Sequence, residues 1–236
     1  MRLLGSRSGS AVEAPFEADA MSEERKVEVV ERELCYQGFF SLERVHLRHS
    51  LHRGGMSPVL VREILEKGNV VAILPYDPVT DTVVLIEQFR VGAMGNAPSA
   101  WLLEIVAGLM EPGEPPDDVA RREAAEEAGL AVRRIEPIAR FFATPSKSSE
   151  LTHLYCGEVD ASGAGGVHGL AHEGEDIRVI ALRAEQAFAL LETGRIDSAW
   201  PMIALMWLRR HRARLRLAWA RQADGETSAE GARRDD

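Results

Sequence analysis

Three glutamates lie close together near the middle of the chain, and their spacing is suited to binding a cation. Glu123 and Glu127 are four residues apart, and Glu126 follows Glu123 by three residues. On a helix these positions share one side, where like carboxylates repel each other by roughly 0.2–0.5 kcal/mol per pair. A hard cation such as Mg²⁺ offsets that repulsion, because it binds carboxylate oxygens and keeps waters that a phosphate group can displace. The spacing therefore indicates a magnesium site for phosphate chemistry.

The residues around these glutamates extend the pattern. Arg122 is placed to pair with Glu114 and so to fix the loop that enters the helix. Gly108 and Gly129 are expected to allow sharp backbone turns at the two ends of the element. A run rich in Glu and Arg is by itself more often a solvated helix face. The full pattern is G-x5-E-x7-R-E-U-x-E-E-x-G-U, with U bulky and apolar except at Ala124. Its seven fixed positions would coincide by chance on the order of once in ten million starts.

This pattern identifies the chain as a member of the Nudix hydrolases. The resemblance implies an α+β fold, an α/β/α sandwich around a mixed sheet, in which the motif forms a loop-helix-loop metal site. It implies metal-dependent hydrolysis of a nucleoside diphosphate linked to another group, with Mg²⁺ as the cofactor and Mn²⁺ as an alternative. By motif position, Glu123 and Glu127 would bind metal, Glu126 would be a further acidic catalytic residue, and the backbone carbonyl of Ala107 would be another ligand.

Residues beyond the motif resemble one branch of the family. Pro145 lies fifteen residues after Leu130, a spacing that marks the ADP-sugar pyrophosphatases, and the resemblance extends over residues 27–219. It implies that the substrate is ADP-ribose and that the products are AMP and ribose 5-phosphate. In a loop at 168–176, it implies that Glu173 is the general base and Glu175 an additional metal ligand. The alternative for this loop is an acidic surface loop.

Four further residues are candidates for substrate contacts. Phe39 offers a flat face on which adenine could stack, although an aromatic residue in a strand is more often part of the core. Arg62 and Arg90 present forks that match phosphate oxygens, and unpaired surface arginines are the alternative. Glu150 resembles the residue that receives the terminal ribose hydroxyls. Ser146 stands where the family often has glycine, which would affect ribose specificity if that loop needs a positive φ.

Composition excludes several classes of protein. The 236 residues include 28 Lys and Arg against 37 Asp and Glu, so the net charge of -9 argues against a nucleic-acid-binding protein. No apolar run approaches the roughly 20 residues that a membrane-spanning helix needs. Two cysteines cannot build a disulfide framework and suit a reducing compartment. We therefore expect a cytoplasmic protein without nucleic-acid or membrane partners.

The order of elements favours an α+β architecture over repeated βαβ units. Alternating or β-branched segments predict strands, whereas Ala- and Glu-rich or amphipathic segments predict helices. The predicted strands are 26–34, 38–47, 59–65, 70–74, 82–90, 101–107, 133–142, 151–159 and 177–182, and the predicted helices are 115–128, 184–192 and 201–221. The predicted divisions are a disordered extension (1–25), an N-terminal β domain (26–66), the Nudix domain (67–221) and a disordered tail (222–236).

The resemblance also implies a homodimer. In this branch the N-terminal β domain exchanges with a partner, so that each active site uses both subunits, with Phe39 and Arg62 acting in part across the interface. Two-fold dimers are also the commonest soluble assemblies.

Two other functions remain open from the sequence. Another nucleotide sugar, such as GDP-mannose, could be the substrate. The chain could instead be a non-catalytic module that senses ADP-ribose, although a sensor could lose the metal carboxylates and this chain keeps all three glutamates.

A row of arginines near the C-terminus also has two interpretations. It could mark a helix that binds a membrane surface or nucleic acid, or a terminal helix that packs its apolar side and solvates its charges. The net negative charge favours packing. The arginines are Arg209, Arg210, Arg212, Arg214, Arg216 and Arg221.

Overall fold

The computed structural model describes residues 25–231, with side chains of the last helix described through Trp219. The predicted extension at 1–25 therefore lies almost entirely outside the described residues. The strands are β1 (Val27–Gln37), β2 (Ser41–His49), β3 (Leu60–Glu66), β4 (Val70–Asp77), β5 (Thr82–Phe89), β6 (Trp101–Glu104), β7 (Val106–Leu109), β8 (Ile135–Phe142), β9 (Leu151–Glu158), β10 (Val167–His168) and β11 (Ile177–Arg183). The helices are α1 (Pro116–Ala128), α2 (Ala184–Glu192) and α3 (Ala199–Gly231).

The larger sheet is mixed, and helices cover both of its faces. Its strand order is β10-β11-β5-β4-β9-β8, with β6 pairing with β5 and β7 pairing with β4. Strands β4 and β9 are parallel, whereas β4 pairs antiparallel with β5 and β7. This arrangement confirms the predicted α+β sandwich.

The buried central strand β4 divides the core in two. All of its residues are buried, and those before Asp77 are apolar or aromatic, as expected for a strand covered on both faces. Val71 and Ile73 pack with the apolar side of α1. Leu74 and Tyr76 face the opposite way, in the core formed with α2 and α3. Helix α1, which carries the glutamates, is thus held against the sheet by its apolar face.

The smaller sheet, β1-β2-β3, is antiparallel and has little core of its own. Every residue of β1 is exposed, and Val45 is the buried apolar residue among its three strands. The sheet exposes a large apolar surface, formed in part by Val27, Val29, Val30, Leu34, Tyr36, Val61 and Leu65. Exposed apolar area of this kind commonly marks a protein interface.

Four arginines of α3 contact the protein itself. Arg212 pairs with Asp81 in the β4–β5 turn and with Glu185 in α2. Arg209 pairs with Glu192, Arg214 pairs with Glu136, and Arg216 donates to the carbonyl of Pro78. Leu205, Leu208 and Leu215 of the same helix are fully buried. These contacts favour the packing interpretation, and no helix in the described part of the chain is long and apolar enough to cross a membrane.

The elements differ from their predicted bounds at a few places. The strand predicted at 101–107 is two strands, β6 and β7, interrupted at the buried Ile105. The two-residue strand β10 was not predicted, because so short a segment has no periodicity. The backbone of α3 continues to Gly231, beyond the predicted end at residue 221. Disorder of residues 222–236 stays a prediction.

Candidate active site

Helix α1 has well-defined ends. Pro115 precedes the helix and Pro116 is its first residue. Two aspartates lie in its first turn, where negative charge interacts favourably with the helix dipole. It ends at Gly129, which has a φ of 65° and donates to the carbonyl of Ala125. A side chain at this position would be strained, and its Cβ would lie 2.8 Å from the ring of His168. The predicted turn at Gly129 is therefore present.

Arg122 holds together the loop and the acidic side of α1. Its Nε lies 3.2 Å from Glu114 Oε1, which is the predicted pair. Its Nη1 lies 2.7 Å from Glu123 Oε1 and 3.1 Å from Glu126 Oε2, and its Nη2 donates to the carbonyl of Leu109. The guanidinium of Arg122 thus offsets part of the repulsion among the carboxylates of Glu114, Glu123 and Glu126.

Gly108 acts differently from its predicted role. It lies within strand β7 and has no positive φ, so it makes no sharp turn. A Cβ built on it would lie 1.7 Å from Oε1 of Glu123. The glycine is required because the carboxylate of Glu123 lies against the backbone of β7.

Glu127 is the most deeply buried of the three glutamates on α1, with 3% of its surface exposed. Its Oε2 accepts a hydrogen bond of 2.9 Å from the amide of Ala107. Burial, with the nearby charges of Glu123 and Glu175, raises the pKa of Glu127 to about 8, against the lowering effects of the Ala107 amide and Arg90. Burial also raises the pKa of Glu123. Such shifts are typical of carboxylates arranged for a function.

These residues fit a divalent cation that is completed by substrate. The charge of Glu175 raises the pKa of both Glu123 and Glu127, and the charge of Glu123 also raises that of Glu127, so the three carboxylates lie near one another. In the described part of the chain, no group of three or more acidic, histidine or cysteine side chains is arranged so that it could hold a metal ion by itself. Mg²⁺ does not need such a group, because it uses one or two carboxylates together with waters and substrate phosphates. The predicted ligand role of the Ala107 carbonyl stays a prediction.

The loop at 168–176 reaches this site. The amide of Gly169 donates to the carbonyl of Glu126 at 3.3 Å, which anchors the loop on the end of α1. Glu175 Oε2 accepts from the amide of Leu170 at 2.9 Å, which folds the loop inward. Glu173 also lines the cleft, but its side chain is more than half exposed. Its Oε1 lies 3.7 Å from Nε2 of His172. The two carboxylates therefore occupy different positions, one against α1 and one at the rim.

A cleft of about 960 Å³ lies beside the carboxylates. This volume is in the range of small-molecule sites. Three of the four predicted substrate residues line it, namely Phe39, Arg90 and Glu150. Phe39 is 67% exposed, so it is not a core residue. Arg62 does not line the cleft, and its guanidinium donates instead to the carbonyl of Val61.

Sequence reasoning missed two residues around these substrate positions. Lys67 places its ammonium 3.8 Å from the centre of the Phe39 ring. Glu104 lies behind Arg90, with its Oε2 2.7 Å from Arg90 Nε. The available signal for Glu104 was a carboxylate within an apolar run, Trp101 to Val106, because a charged group that is buried with such a run needs a partner.

Ser146 does not have the backbone geometry that raised the question about ribose specificity. Among the described residues other than glycine, Asp81 alone has a positive φ. The loop after Pro145 therefore does not depend on glycine at position 146.

The chain matches known proteins over most of its length. The model of the NUDIX domain matches residues 66–205. An ADP-ribose pyrophosphatase of Escherichia coli (strain K12) is 51% identical over 194 residues, covering 82% of this chain and 93% of that protein. An ADP-ribose pyrophosphatase of Haemophilus influenzae is 42% identical over 201 residues, covering 84% and 93%. A GDP-mannose pyrophosphatase of Enterobacter sp. is 32% identical over 186 residues, covering 78% and 95%.

A solved structure has the same fold. The crystal structure of an ADP compounds hydrolase superposes with a TM-score of 0.61 at 22% identity, covering 81% of this chain and 97% of that one. The residues matched by the family model include Gly108, Arg122 and Glu127, whose contacts are described above. The sequence pattern of the family and the geometry of the site therefore lie in the same part of the chain. The chain belongs to the Nudix family of hydrolases.

Proposed function

We propose that the protein hydrolyses the pyrophosphate bond of ADP-ribose to give AMP and ribose 5-phosphate. The observation that carries the proposal is the pair of buried carboxylates, Glu123 and Glu127, beside Arg90 in a cleft of nucleotide size. The identity of 51% to an ADP-ribose pyrophosphatase supports this substrate. The GDP-mannose pyrophosphatases are more distant.

Glu123, Glu127 and Glu175 would hold Mg²⁺. The bound ion would neutralise the diphosphate and polarise a phosphoryl oxygen. Arg122 keeps Glu123 in place through Oε1, and the Ala107 amide does the same for Glu127 through Oε2. Each glutamate has a second oxygen that accepts no hydrogen bond from the described residues, and this oxygen is available to a cation.

The other residues of the cleft bind substrate and move a proton. Glu173, at the exposed rim, would accept a proton from the attacking water through a carboxylate oxygen. Arg90 would donate to phosphate oxygens. Phe39 would stack on adenine, a contact of about 1–3 kcal/mol by analogy with other base–aromatic pairs. Glu150 would accept hydrogen bonds from the terminal ribose hydroxyls, and burial raises the pKa of its carboxyl.

Turnover of the purified protein tests this function. With Mg²⁺, ADP-ribose should yield AMP and ribose 5-phosphate, and a coupled phosphatase would release inorganic phosphate from both products. A chelator should abolish turnover, and Mn²⁺ should be compared with Mg²⁺. Faster turnover of GDP-mannose than of ADP-ribose would replace the proposed substrate. Tight ADP-ribose binding without turnover would instead favour a sensor.

The proposed enzyme is a homodimer whose active sites are shared. The small N-terminal sheet exposes apolar residues on a scale that suits a partner surface. Arg62 lies in that sheet away from the cleft of its own chain, so a contact with substrate would require a second copy. Sedimentation tests the proposal, since a fully active monomer would contradict it.

We also propose a cytoplasmic location. Both cysteines of the described chain, Cys35 and Cys156, are unpaired thiols, which suits a reducing compartment. Fractionation of cells that produce the protein would test this, and recovery outside the cytoplasm would contradict it.

A further inference from the structure

The buried carboxylate of Glu104 accepts a hydrogen bond from the side chain of Arg90. Glu104 is 5% exposed, and its Oε2 accepts from Arg90 Nε at 2.7 Å and from Gln88 Nε2 at 3.4 Å. Its Oε1 accepts from the hydroxyl of Ser198 at 3.1 Å, just before α3 begins. Glu104 therefore connects Arg90 to two elements of the core.

Arg90 has donors left for a ligand. Its Nε is engaged by Glu104, whereas its two terminal nitrogens donate to no residue in the described part of the chain. Its side chain is 41% exposed and lines the cleft that contains the buried glutamates. Its charge also reaches Glu127, where it opposes part of the rise in pKa that burial causes.

We infer that Glu104 is a positioning residue, which fixes the guanidinium of Arg90 so that its terminal nitrogens meet the diphosphate of the substrate. This inference rests on the proposed function. An arginine side chain has many rotamers, and the cost of ordering it reduces affinity unless it is ordered before the ligand arrives. One hydrogen bond to Nε restricts those rotamers and leaves the opposite edge of the fork for phosphate oxygens.

Three substitutions of Glu104 separate positioning from charge. In Glu104→Gln, the amide oxygen can still accept from Arg90 Nε although the charge is lost. In Glu104→Asp, the charge remains, but the carboxylate is one methylene too short to reach. Glu104→Ala removes both. If Glu104 acts by positioning Arg90, Glu104→Gln keeps most of kcat/KM for ADP-ribose, whereas Glu104→Asp and Glu104→Ala lower kcat/KM roughly tenfold or more.

A double-mutant cycle shows whether Glu104 acts through Arg90. Glu104→Asp should cost little further kcat/KM, less than about twofold, when Arg90→Ala is already present, because the group that Glu104 positions is gone. Equal costs with and without Arg90 would overturn the inference. Glu104→Asp performing better than Glu104→Gln would overturn it as well, since the charge would then be what matters.

A second buried pair provides the matched control. Glu158 is 4% exposed and pairs with Arg134, and it does not line the cleft. Glu158→Ala should lower thermal stability and leave KM for ADP-ribose unchanged. Glu104→Asp is expected to raise KM beyond any effect explained by its own change in stability. If the wild-type protein does not hydrolyse ADP-ribose, the proposed function fails together with this inference. If hydrolysis is present and the cycle is additive, the inference alone fails.

Discussion

The carboxylate of Glu123 lies directly against the backbone of Gly108. A Cβ at residue 108 would come within 1.7 Å of Oε1 and 1.9 Å of the carboxyl carbon. The same Oε1 is held at 2.7 Å by Arg122, so the carboxylate has little freedom to move aside. The first glycine of the motif and its first helical glutamate thus depend on each other sterically, across the gap between β7 and α1.

Gly108→Ala should therefore lower turnover by at least ~10², because Glu123 must leave its position and small displacements at a catalytic centre have costs of that order. Gly163→Ala is the matched control, since a Cβ there meets nothing within 4 Å and the residue has no positive φ. Turnover of ADP-ribose under saturating Mg²⁺ measures the difference. Equal activity of the two variants would contradict the steric relationship.

Glu127→Gln and Glu173→Gln should each lower turnover by at least ~10², as expected for groups that bind metal or accept a proton. Glu192→Gln, at the end of α2 and outside the cleft, is the control. Steady-state kinetics of the purified variants provide the measurement. Near-normal turnover of both cleft variants would refute the assignment of these residues.

The raised pKa of Glu127 predicts how the metal-free protein responds to pH. Its folded pKa of about 8 exceeds the ordinary value of 4.5, so the folded state binds more protons than the unfolded state between these values. The free energy of unfolding should therefore fall as pH rises through this window. Denaturant unfolding in chelator, at about pH 5.5 and about pH 8.5, should show a smaller fall for Glu127→Gln than for wild type. Identical pH dependence would contradict the prediction.

Asp81 is expected to be important for stability rather than for activity. It is 3% exposed, accepts from the Tyr76 hydroxyl at 2.7 Å, and pairs with Arg212 of α3. Although burial alone raises the pKa of Asp81, hydrogen bonds from Arg212 and Tyr76 hold it below its ordinary value.

Asp81→Asn should lower the free energy of unfolding by about 3 kcal/mol, because it removes the buried charge that pairs with Arg212 and leaves only the exposed Glu185 as its charged partner. Asparagine tolerates the positive φ of this position. Glu136→Gln removes a more exposed partner, that of Arg214, and should cost less than about 1 kcal/mol. Denaturant unfolding compares the two, and similar losses would contradict the assignment.

The local pattern of the sequence was enough to predict the helix and its charged groups. The ends of α1, the Arg122–Glu114 pair and the shared side of the three glutamates follow from spacing along one element. The role of Gly108 does not, because the contact with Glu123 joins a strand to a helix fifteen residues away. A glycine can serve a turn or a close approach, and only the tertiary structure distinguishes the two.

Residues that act through other residues were the hardest to predict. The residue type of Arg90 is enough to make it a phosphate candidate, whereas Glu104 contributes through a contact from β6 to the residue that follows the neighbouring strand β5. The surface of the N-terminal sheet shows a related limit. The alternation of apolar and polar residues predicted its strands. It did not predict that both kinds of residue in β1 are exposed, because exposure depends on what lies next to the sheet.

The loop that carries Glu150 is hydrogen-bonded to strand β3 of the N-terminal sheet. The amide of Leu65 donates to the carbonyl of Lys147 at 2.9 Å, the amide of Ser149 donates to the carbonyl of Leu65 at 3.4 Å, and the hydroxyl of Ser149 donates to Glu66. Ser148 thus pairs with Leu65, so that this short segment lies beside β3 and parallel to it. A Nudix domain cut free at residue 67 would keep Glu123, Glu127 and Glu175, but the loop that carries Glu150 would lose the strand with which it pairs.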